Sequence, residues 1–228
     1  GIEKEAPVIG DNEQVTAFRK VNGFMVSCTW YNGDVLVSTT GSTDSPYVAM
    51  AKEMMLTHGP WYEWQNAFSS ADLEGMTVMF ECVHMDDPHI IPEMCGMYVL
   101  GYRENEWRSR VGHDPCVLQD LRIMFNCHKP ESVTTTVAQV KQMAKECKHE
   151  GFVFYHADGR AAKIKSPYYL IKKFVARNPR TDKLMRKDIK QSLDEEYYPL
   201  IDAIQANIEM YTALDEQARL AWVRERLA

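Results

Sequence analysis

Two lysines and one glutamate lie close together in the stretch from residue 149 to residue 169. Lys163 and Lys165 are two positions apart on a predicted strand, so their ammonium groups leave the same face of the sheet. Glu150 stands just before a second predicted strand, beside a glycine that lets a ligand or another backbone approach closely. Two neighbouring cations and a carboxylate favour a site for a phosphate group and a metal ion. The alternative is that both lysines form the solvated face of a strand.

The elements that would position these side chains are predicted as an α+β body followed by a helical tail. Asn-Gly at 32–33 and Asp-Gly at 158–159 are typical of tight β-hairpins. The predicted strands cover 24–31, 34–39, 77–84, 97–103, 152–156 and 160–165. A helix is predicted over 134–148 because apolar residues recur near a 3.6-residue period, whereas residues 1–17 show no clear periodicity and are expected to be irregular. After Pro167 only helical patterns follow.

The composition is that of a globular chain without an export signal. Of its 228 residues, 45% are hydrophobic and 25% are charged, which are ordinary globular values. No apolar run approaches the roughly 18 residues of a transmembrane helix, and the first residues have no apolar signal core. The six cysteines form no CxxC pair and no zinc-type spacing, so we expect reduced thiols in an intracellular protein that is neither secreted nor membrane-bound.

The charge is unevenly distributed along the chain. Residues 160–190 contain eleven Lys or Arg and two Asp, a local charge of +9, so the rest of the chain carries −15 of a net −6. Such segregation is typical of a protein that meets a polyanion along one face. A basic, solvated helix would give the same pattern.

Six short motifs occur in order along the chain. They are KVNG with Lys20, Asn22 and Gly23, TTGS at 39–42, FECV with Glu81, MYVLGYR with Tyr98, EGFV with Glu150, and KIK with Lys163 and Lys165. Together they resemble the signatures of the covalent nucleotidyltransferase superfamily of polynucleotide ligases and capping enzymes. Each motif is weak alone, but their order and their placement on the required element types make the resemblance specific.

The resemblance is strongest to the RNA ligase of T-even bacteriophages, the type that repairs cleaved tRNA. The phrases EGFVFYHADG…KIKSPYY and FECV…VLGYRE carry it, and it covers most of the chain from Lys20 to about Tyr169. The asparagine of KVNG and the acid-rich DDPH segment are similar to the fungal and plant tRNA ligases. The resemblance implies an adenylyltransferase domain of antiparallel sheets with flanking helices over residues 1–169. It also implies an all-helical C-terminal appendage over 170–228.

The chemistry that the resemblance implies is ATP-dependent RNA ligation through a covalent lysyl-AMP. Lys20 would be the nucleophile, and Lys163 and Lys165 would bind the α-phosphate of ATP and disfavour the charged form of Lys20. Glu150 would help to hold Mg²⁺ or Mn²⁺. The AMP would then move to an RNA 5′-phosphate, and a 3′-hydroxyl would displace it.

Four further residues are implied to shape the nucleotide pocket. Asn22 and Gly23 would surround the sugar, Glu81 would bind ribose or help to place the metal, and Tyr98 would stack on adenine. For Tyr98 the alternative is ordinary core packing. The expected partners are ATP and RNA, with the basic 160–190 segment receiving RNA phosphates. Fused or upstream repair domains are also expected.

Two departures from the family pattern are visible. Thr40 occupies a position that is usually lysine, so one phosphate or RNA contact is missing or supplied elsewhere. Only nineteen residues precede Lys20, which indicates an excised or naturally short domain.

Other interpretations of the chain stay open. An mRNA guanylyltransferase would use GTP with the same lysine chemistry, but it would have an OB-fold after the KxK motif. A degenerate domain could bind RNA ends without catalysis. Asp86, Asp87 and His89 could be metal ligands, although turn formation is the favoured interpretation of the two acids.

Overall fold

The computed structural model describes residues 8–87, 89–106, 109–177, 181–186, 188–193 and 195–227. The strands are β1 (Gln14–Arg19), β2 (Phe24–Tyr31), β3 (Asp34–Thr39), β4 (Met76–Val83), β5 (Gly96–Glu104), β6 (Ser132–Thr136), β7 (Gly151–His156) and β8 (Ala161–Lys165). The helices are α1 (Pro46–His58), α2 (Trp61–Phe68), α3 (Pro115–Met124), α4 (Val137–Glu146), α5 (Pro167–Arg177), α6 (Thr181–Leu184), α7 (Tyr198–Ala206), α8 (Ile208–Ala213) and α9 (Glu216–Leu227). Short 3₁₀ turns cover Ile189–Ser192 and Glu195–Tyr197.

The strands form two antiparallel sheets of four strands each. One sheet has the order β6-β1-β7-β8, and the other has the order β3-β2-β4-β5. Helices flank both sheets. The predicted fold class is therefore confirmed: an α+β chain with two antiparallel sheets and flanking helices.

Two local predictions were wrong. Residues 1–17 were expected to be irregular, yet residues 14–17 belong to β1, the second strand of its sheet, because the backbone of β1 pairs with two distant segments, β6 and β7. Residues 134–136 were expected to start a helix, yet they belong to β6. Helix α4 begins only at Val137, where the Thr136 side chain caps it by accepting a hydrogen bond from the Gln139 N–H.

Four clusters of buried hydrophobic side chains form in the described part of the chain. The largest joins the second sheet to α1, α2 and α3 through side chains such as Phe80, Trp64 and Phe125. A second packs α4 against the first sheet. Phe18 belongs to the largest cluster although it lies on β1 of the first sheet. The end of β1 is therefore anchored between the two sheets at Phe18, two positions before Lys20.

The helices after β8 have their own cluster, built around Phe174, Leu200 and Ile204. The predicted boundary between residues 169 and 170 falls inside α5, and the division into two domains stays a prediction. In the described part of the chain, no helix is both long enough and apolar enough to cross a bilayer.

Candidate active site

Lys20 is the first residue after β1, and its backbone is tied to the first sheet. The Lys20 N–H donates to the carbonyl of Gly151, with 2.8 Å between the nitrogen and the oxygen. The Nζ atom of Lys20 lies 2.9 Å from Oε1 of Glu150. The Glu150 side chain is only 7% exposed and that of Lys20 is 25% exposed. The partly buried ammonium group of Lys20 therefore forms an ion pair with a buried carboxylate.

The strands of the hairpin bring the two motif lysines to the same sheet. Lys165 pairs with Gly151, and Lys163 pairs with Val153, so both lie on one face of β8. Gly151 has φ +135, and a Cβ there would come within 2.0 Å of the Ile164 carbonyl oxygen. Only glycine fits at this point. The backbone of Gly151, the residue after Glu150, contacts both Lys20 and Lys165, and so brings the three residues close together.

Glu81 approaches the same segment from the second sheet. Its Oε1 accepts a hydrogen bond from the Gly23 N–H at 3.0 Å. A Cβ on Gly23 would lie 2.2 Å from the carbonyl oxygen of Cys82, so the chain after Lys20 can rest on β4 only because residue 23 is glycine. The segment 20–23 thus bridges the two sheets, with Glu150 on one side and Glu81 on the other.

The Glu81 carboxyl is in an unusual electrostatic environment. Burial raises its pKa to about 7, because desolvation penalises the charged form more than the Lys20 charge and the Gly23 N–H favour it. The negative charges of Glu150 and Asp87 add to the increase in pKa. Near neutral pH, Glu81 therefore exists in both protonation states and can accept or donate a hydrogen bond.

Two other predicted site residues lie beside this segment. The side-chain amide nitrogen of Asn22 is buried and has no hydrogen-bond partner among the described residues. Tyr98 faces Glu81 across the β4–β5 pair. Tyr98 as a residue is 5% exposed, the centroid of its ring lies 4.9 Å from that of the His128 ring, and its hydroxyl donates to the Met94 carbonyl. A base could stack on Tyr98 only if its neighbours moved.

The described residues of the segment 84–89, which are 84–87 and 89, do not form a group of metal ligands. Asp87 Oδ2 lies 3.6 Å from Nδ1 of His89, whose other ring nitrogen contacts the His84 carbonyl. Asp86 is exposed and lies in a turn. Across the described residues, no group of three His, Cys, Asp or Glu side chains is arranged to hold a metal ion.

One ion pair beside the candidate nucleophile was missed by the sequence analysis. Arg19 Nη2 donates to Glu93 Oε2 at 2.6 Å, and the two residues are 74 positions apart. Nothing in the local pattern of either residue indicates the pairing. The only signal available was the position of Arg19 next to the candidate nucleophile.

The described part of the basic 160–190 segment is largely outside this site. Arg186 pairs with Asp188, and Lys190 pairs with Asp202. Residues 178–180 and 187, which the prediction also included, lie outside the described residues. Thr40, the departure from the family pattern, is exposed after β3.

A sequence model of the RNA ligase family matches residues 3–169, well over half of the chain. The chain belongs to the RNA ligase family. No curated protein gives a significant match. The family assignment confirms the resemblance to RNA ligases, and the matched region contains all eight predicted site residues.

Solved structures of ligases share the fold. Two forms of an archaeal ATP-dependent RNA ligase superpose with TM-scores of 0.58 and 0.57 at 14% and 15% identity, and each covers 94% of this chain and 56% of the ligase. A mutant Naegleria gruberi RNA ligase, solved with ATP and Mn, superposes with a TM-score of 0.50 at 15% identity. The superposition covers 71% of this chain and 52% of the Naegleria gruberi chain. This RNA-ligase-family chain therefore spans little more than half the length of these structures, and the likeness shows the fold.

Proposed function

We propose that this chain is the adenylyltransferase part of an ATP-dependent RNA ligase, and that Lys20 forms a covalent lysyl-AMP. The observation that carries the proposal is the placement of Lys20. In a chain of the RNA ligase family, its Nζ lies 2.9 Å from the buried Glu150, beside the hairpin that carries Lys163 and Lys165.

The proposed first step is attack of the neutral Lys20 amine on the α-phosphorus of ATP. The N–P bond forms as the bond between the α-phosphorus and the pyrophosphate oxygen breaks, pyrophosphate leaves, and the lysine nitrogen releases one proton to solvent. Lys163 and Lys165 would neutralise the α-phosphate, and their charges would oppose an ammonium on Lys20. Binding of the phosphate between these lysines would also compete with Glu150 for contact with Lys20.

A divalent metal ion fits the donor set, although the described residues offer no cage of three ligands. Mg²⁺ is commonly held by one or two carboxylates together with substrate phosphates. Glu150 supplies a buried carboxylate of which one oxygen contacts Lys20, and it would hold Mg²⁺ or Mn²⁺. When bound, the ion would stabilise the charge that develops on the phosphate.

The remaining site residues would bind the nucleoside. Asn22 has a buried amide nitrogen that needs an acceptor, which a sugar or phosphate oxygen would supply. Glu81, with its pKa of about 7, would accept from or donate to a ribose hydroxyl. Gly23 would keep the segment close to β4, and Tyr98 would stack on adenine after a shift of its neighbours.

RNA ends are the proposed second substrate. AMP would pass from Lys20 to an RNA 5′-phosphate, and a 3′-hydroxyl would displace it to close the phosphodiester bond. The 160–190 segment would receive RNA phosphates, and the pathway would be tRNA repair or splicing, as in the phage, fungal and plant ligases that the motifs resemble. Further repair domains would belong to the whole protein. The free thiols of all six cysteines and the use of ATP favour an intracellular location.

The test is covalent labelling with α-labelled ATP, and separately with α-labelled GTP, in the presence of Mg²⁺. After a denaturing gel, label from ATP should stay on the wild-type protein and disappear in Lys20→Ala. Lys141→Ala is the matched control, because Lys141 also forms an ion pair, with Asp11, but lies on α4 away from the site; it should label like the wild type.

The outcomes separate the candidate functions. Label from GTP alone would indicate a guanylyltransferase, against which the helix α5, directly after β8, already argues. Folded protein that takes label from neither nucleotide would contradict the proposal and favour a domain that binds RNA ends without catalysis.

A further inference from the structure

Ser166 lies directly after Lys165, at the junction between β8 and α5, and it is fully buried although its side chain is polar. Its hydroxyl makes hydrogen bonds in two directions. It accepts from the Tyr169 N–H at 3.1 Å, in the first turn of α5, and it donates to the carbonyl of His149. The first bond caps the helix. The second reaches the residue before Glu150, and helix capping does not require it.

The backbone of Ser166 adds another bond to the same segment. Its N–H donates to the Glu150 carbonyl, with 2.9 Å between the nitrogen and the oxygen. Ser166 therefore supplies donors to the carbonyls of both His149 and Glu150. These carbonyls belong to the two peptide planes that flank the Cα of Glu150. Because each peptide unit is planar, holding both planes fixes φ and ψ of Glu150, and with them the direction in which its side chain leaves the backbone.

The next residue extends this arrangement to Lys20. The Gly151 carbonyl accepts from the Lys20 N–H at 2.8 Å, and the Lys20 Nζ lies 2.9 Å from the Glu150 carboxylate. Lys20 thus contacts residues 150–151 through its backbone and its side chain, while Ser166 contacts residues 149–150 from the start of α5. The ion pair depends on the direction of the Glu150 side chain, and Ser166 holds the backbone that sets this direction.

We infer that Ser166 is a positioning residue for the reaction of Lys20, because its hydroxyl holds the peptide plane before Glu150 and so directs the Glu150 carboxylate towards the lysine. The inference rests on the proposed function, in which Lys20 is the nucleophile and Glu150 acts beside it. Alanine in place of Ser166 keeps the backbone bond to the Glu150 carbonyl and loses only the two bonds of the hydroxyl.

The experiment is a double-mutant cycle on the rate of adduct formation from ATP, measured by intact-protein mass spectrometry in Mg²⁺. The four proteins are the wild type, Ser166→Ala, Glu150→Ala and the double variant. Ser166→Ala should lower the rate about tenfold, because small misplacements of functional groups are costly. In the Glu150→Ala background the same substitution should lower the rate less than about twofold, because the side chain that Ser166 directs is already absent.

Thr136→Ala is the matched control. The Thr136 hydroxyl caps α4 as the Ser166 hydroxyl caps α5, but Thr136 pairs with Gln14 at the opposite end of β1 from Lys20. This variant should lose stability and keep the adduct rate. Ser166→Cys is a second variant, which keeps a side chain of similar size with only a weak donor. Its loss of rate should also disappear in the Glu150→Ala background, so it tests the same bond if Ser166→Ala does not fold.

Hydrogen exchange supplies a readout that needs no catalysis. In Ser166→Ala and Ser166→Cys, the Lys20 amide, which bonds to Gly151, should exchange about tenfold faster relative to the Ala17 amide within β1. In Thr136→Ala the ratio of the two exchange rates should stay as in the wild type. A general loss of stability would accelerate both amides together, so the ratio separates positioning from a merely structural role.

Equal losses of rate in the two backgrounds, or Ser166 variants that react like the wild type, would overturn the inference while leaving adenylylation intact. An unchanged ratio of the Lys20 and Ala17 exchange rates would overturn it as well. Wild-type protein that forms no adduct with ATP would overturn the proposed function instead, and hydrogen exchange would then still decide whether Ser166 holds the segment that contacts Lys20.

Discussion

The charged side chains around Lys20 and those of the basic segment 160–190 differ in their burial and in the sequence distance to their partners. Lys20 contacts a buried carboxylate, that of Glu150 just before the distant strand β7, and the residues after Lys20 contact the other sheet. Arg186 instead pairs with Asp188, two positions away, and both side chains are more than half exposed. Exposed local pairs contribute little to stability and are screened by salt.

This difference separates two kinds of functional surface. The geometry at Lys20 exists only when both sheets are folded and packed against segment 20–23, so a substitution there should change chemistry and stability together. The exposed charges of this segment that follow β8, such as Arg186, depend on local contacts and on solvent. Substitutions among these residues after β8 should change salt-dependent affinity and leave the fold and the lysine chemistry intact.

The largest effect is expected from Gly23→Ala. The added Cβ would lie 2.2 Å from the Cys82 carbonyl oxygen, so segment 20–23 must move away from β4. We expect adduct formation on Lys20 to fall at least about a hundredfold and the free energy of unfolding to fall by about 1–3 kcal/mol. Labelling and denaturant unfolding measure the two effects.

Gly41→Ala is the control for backbone stiffening. Gly41 has no atom within 4 Å of an added Cβ, so this variant should label and unfold like the wild type. If Gly23→Ala also behaved like the wild type, segment 20–23 would not rest on β4 as described, and the bridge between the sheets would be wrong.

An intermediate effect, which depends on pH, is expected from Glu81→Gln. Because burial raises the pKa of Glu81 to about 7, the folded state binds its proton more tightly than the unfolded state. The resulting stabilisation is fully present below the ordinary glutamate pKa of about 4.5 and is lost as pH rises through about 7. At pH 8 the variant should be more stable than the wild type by roughly 1–3 kcal/mol, whereas at pH 4 the gain should be absent.

Denaturant unfolding at both pH values measures this difference. An equal difference between Glu81→Gln and the wild type at pH 4 and pH 8 would mean that Glu81 does not titrate near neutrality. The adduct rate adds a second readout, because a carboxyl that changes charge near pH 7 beside Lys20 should give the wild type a pH profile that the variant lacks.

The sequence could predict those elements of the fold whose conformation depends on residues close together in the chain. The β2–β3 turn at Asn32-Gly33 and the alternation of Lys163 and Lys165 on β8 depend on neighbouring residues, and their elements were placed within a residue of the observed bounds. Strand β1 was missed because its partners, β6 and β7, are more than a hundred positions away. The hydrogen bonds of β1 to β6 and β7, and not the hydrophobic pattern of its own residues, determine its strand conformation.

The same distinction applies to the site. Motif order located Lys20, Glu81 and Glu150, because each motif is a local signature. Sequence could not supply the pKa of Glu81, which arises from burial among charges from three other segments. Nor could it find Glu93, because no motif contains it and its partner, Arg19, lies 74 positions away.

The smallest effect is expected in the basic segment. Lys172 lies over the Tyr168 ring and Lys183 is exposed on α6, so neither supports the Lys20 site. The double variant Lys172→Ala with Lys183→Ala should bind single-stranded RNA several-fold more weakly at low salt. The slope of log affinity against log salt should become shallower by about 1.4, because each phosphate contact contributes about 0.7. Adduct formation from ATP without RNA should not change.

A control variant with the same loss of charge elsewhere tests whether the effect belongs to this surface. Lys52→Ala with Lys141→Ala removes two cations from α1 and α4, on the body of the chain and outside the basic segment. Binding titrations of both double variants over a range of salt concentrations compare the slopes. Equal slopes would show that RNA responds to total charge, and the segregation of charge into residues 160–190 would then have no part in RNA binding. A shallower slope only for the Lys172 and Lys183 variant would assign phosphate contacts to the helical segment, separate from the chemistry at Lys20.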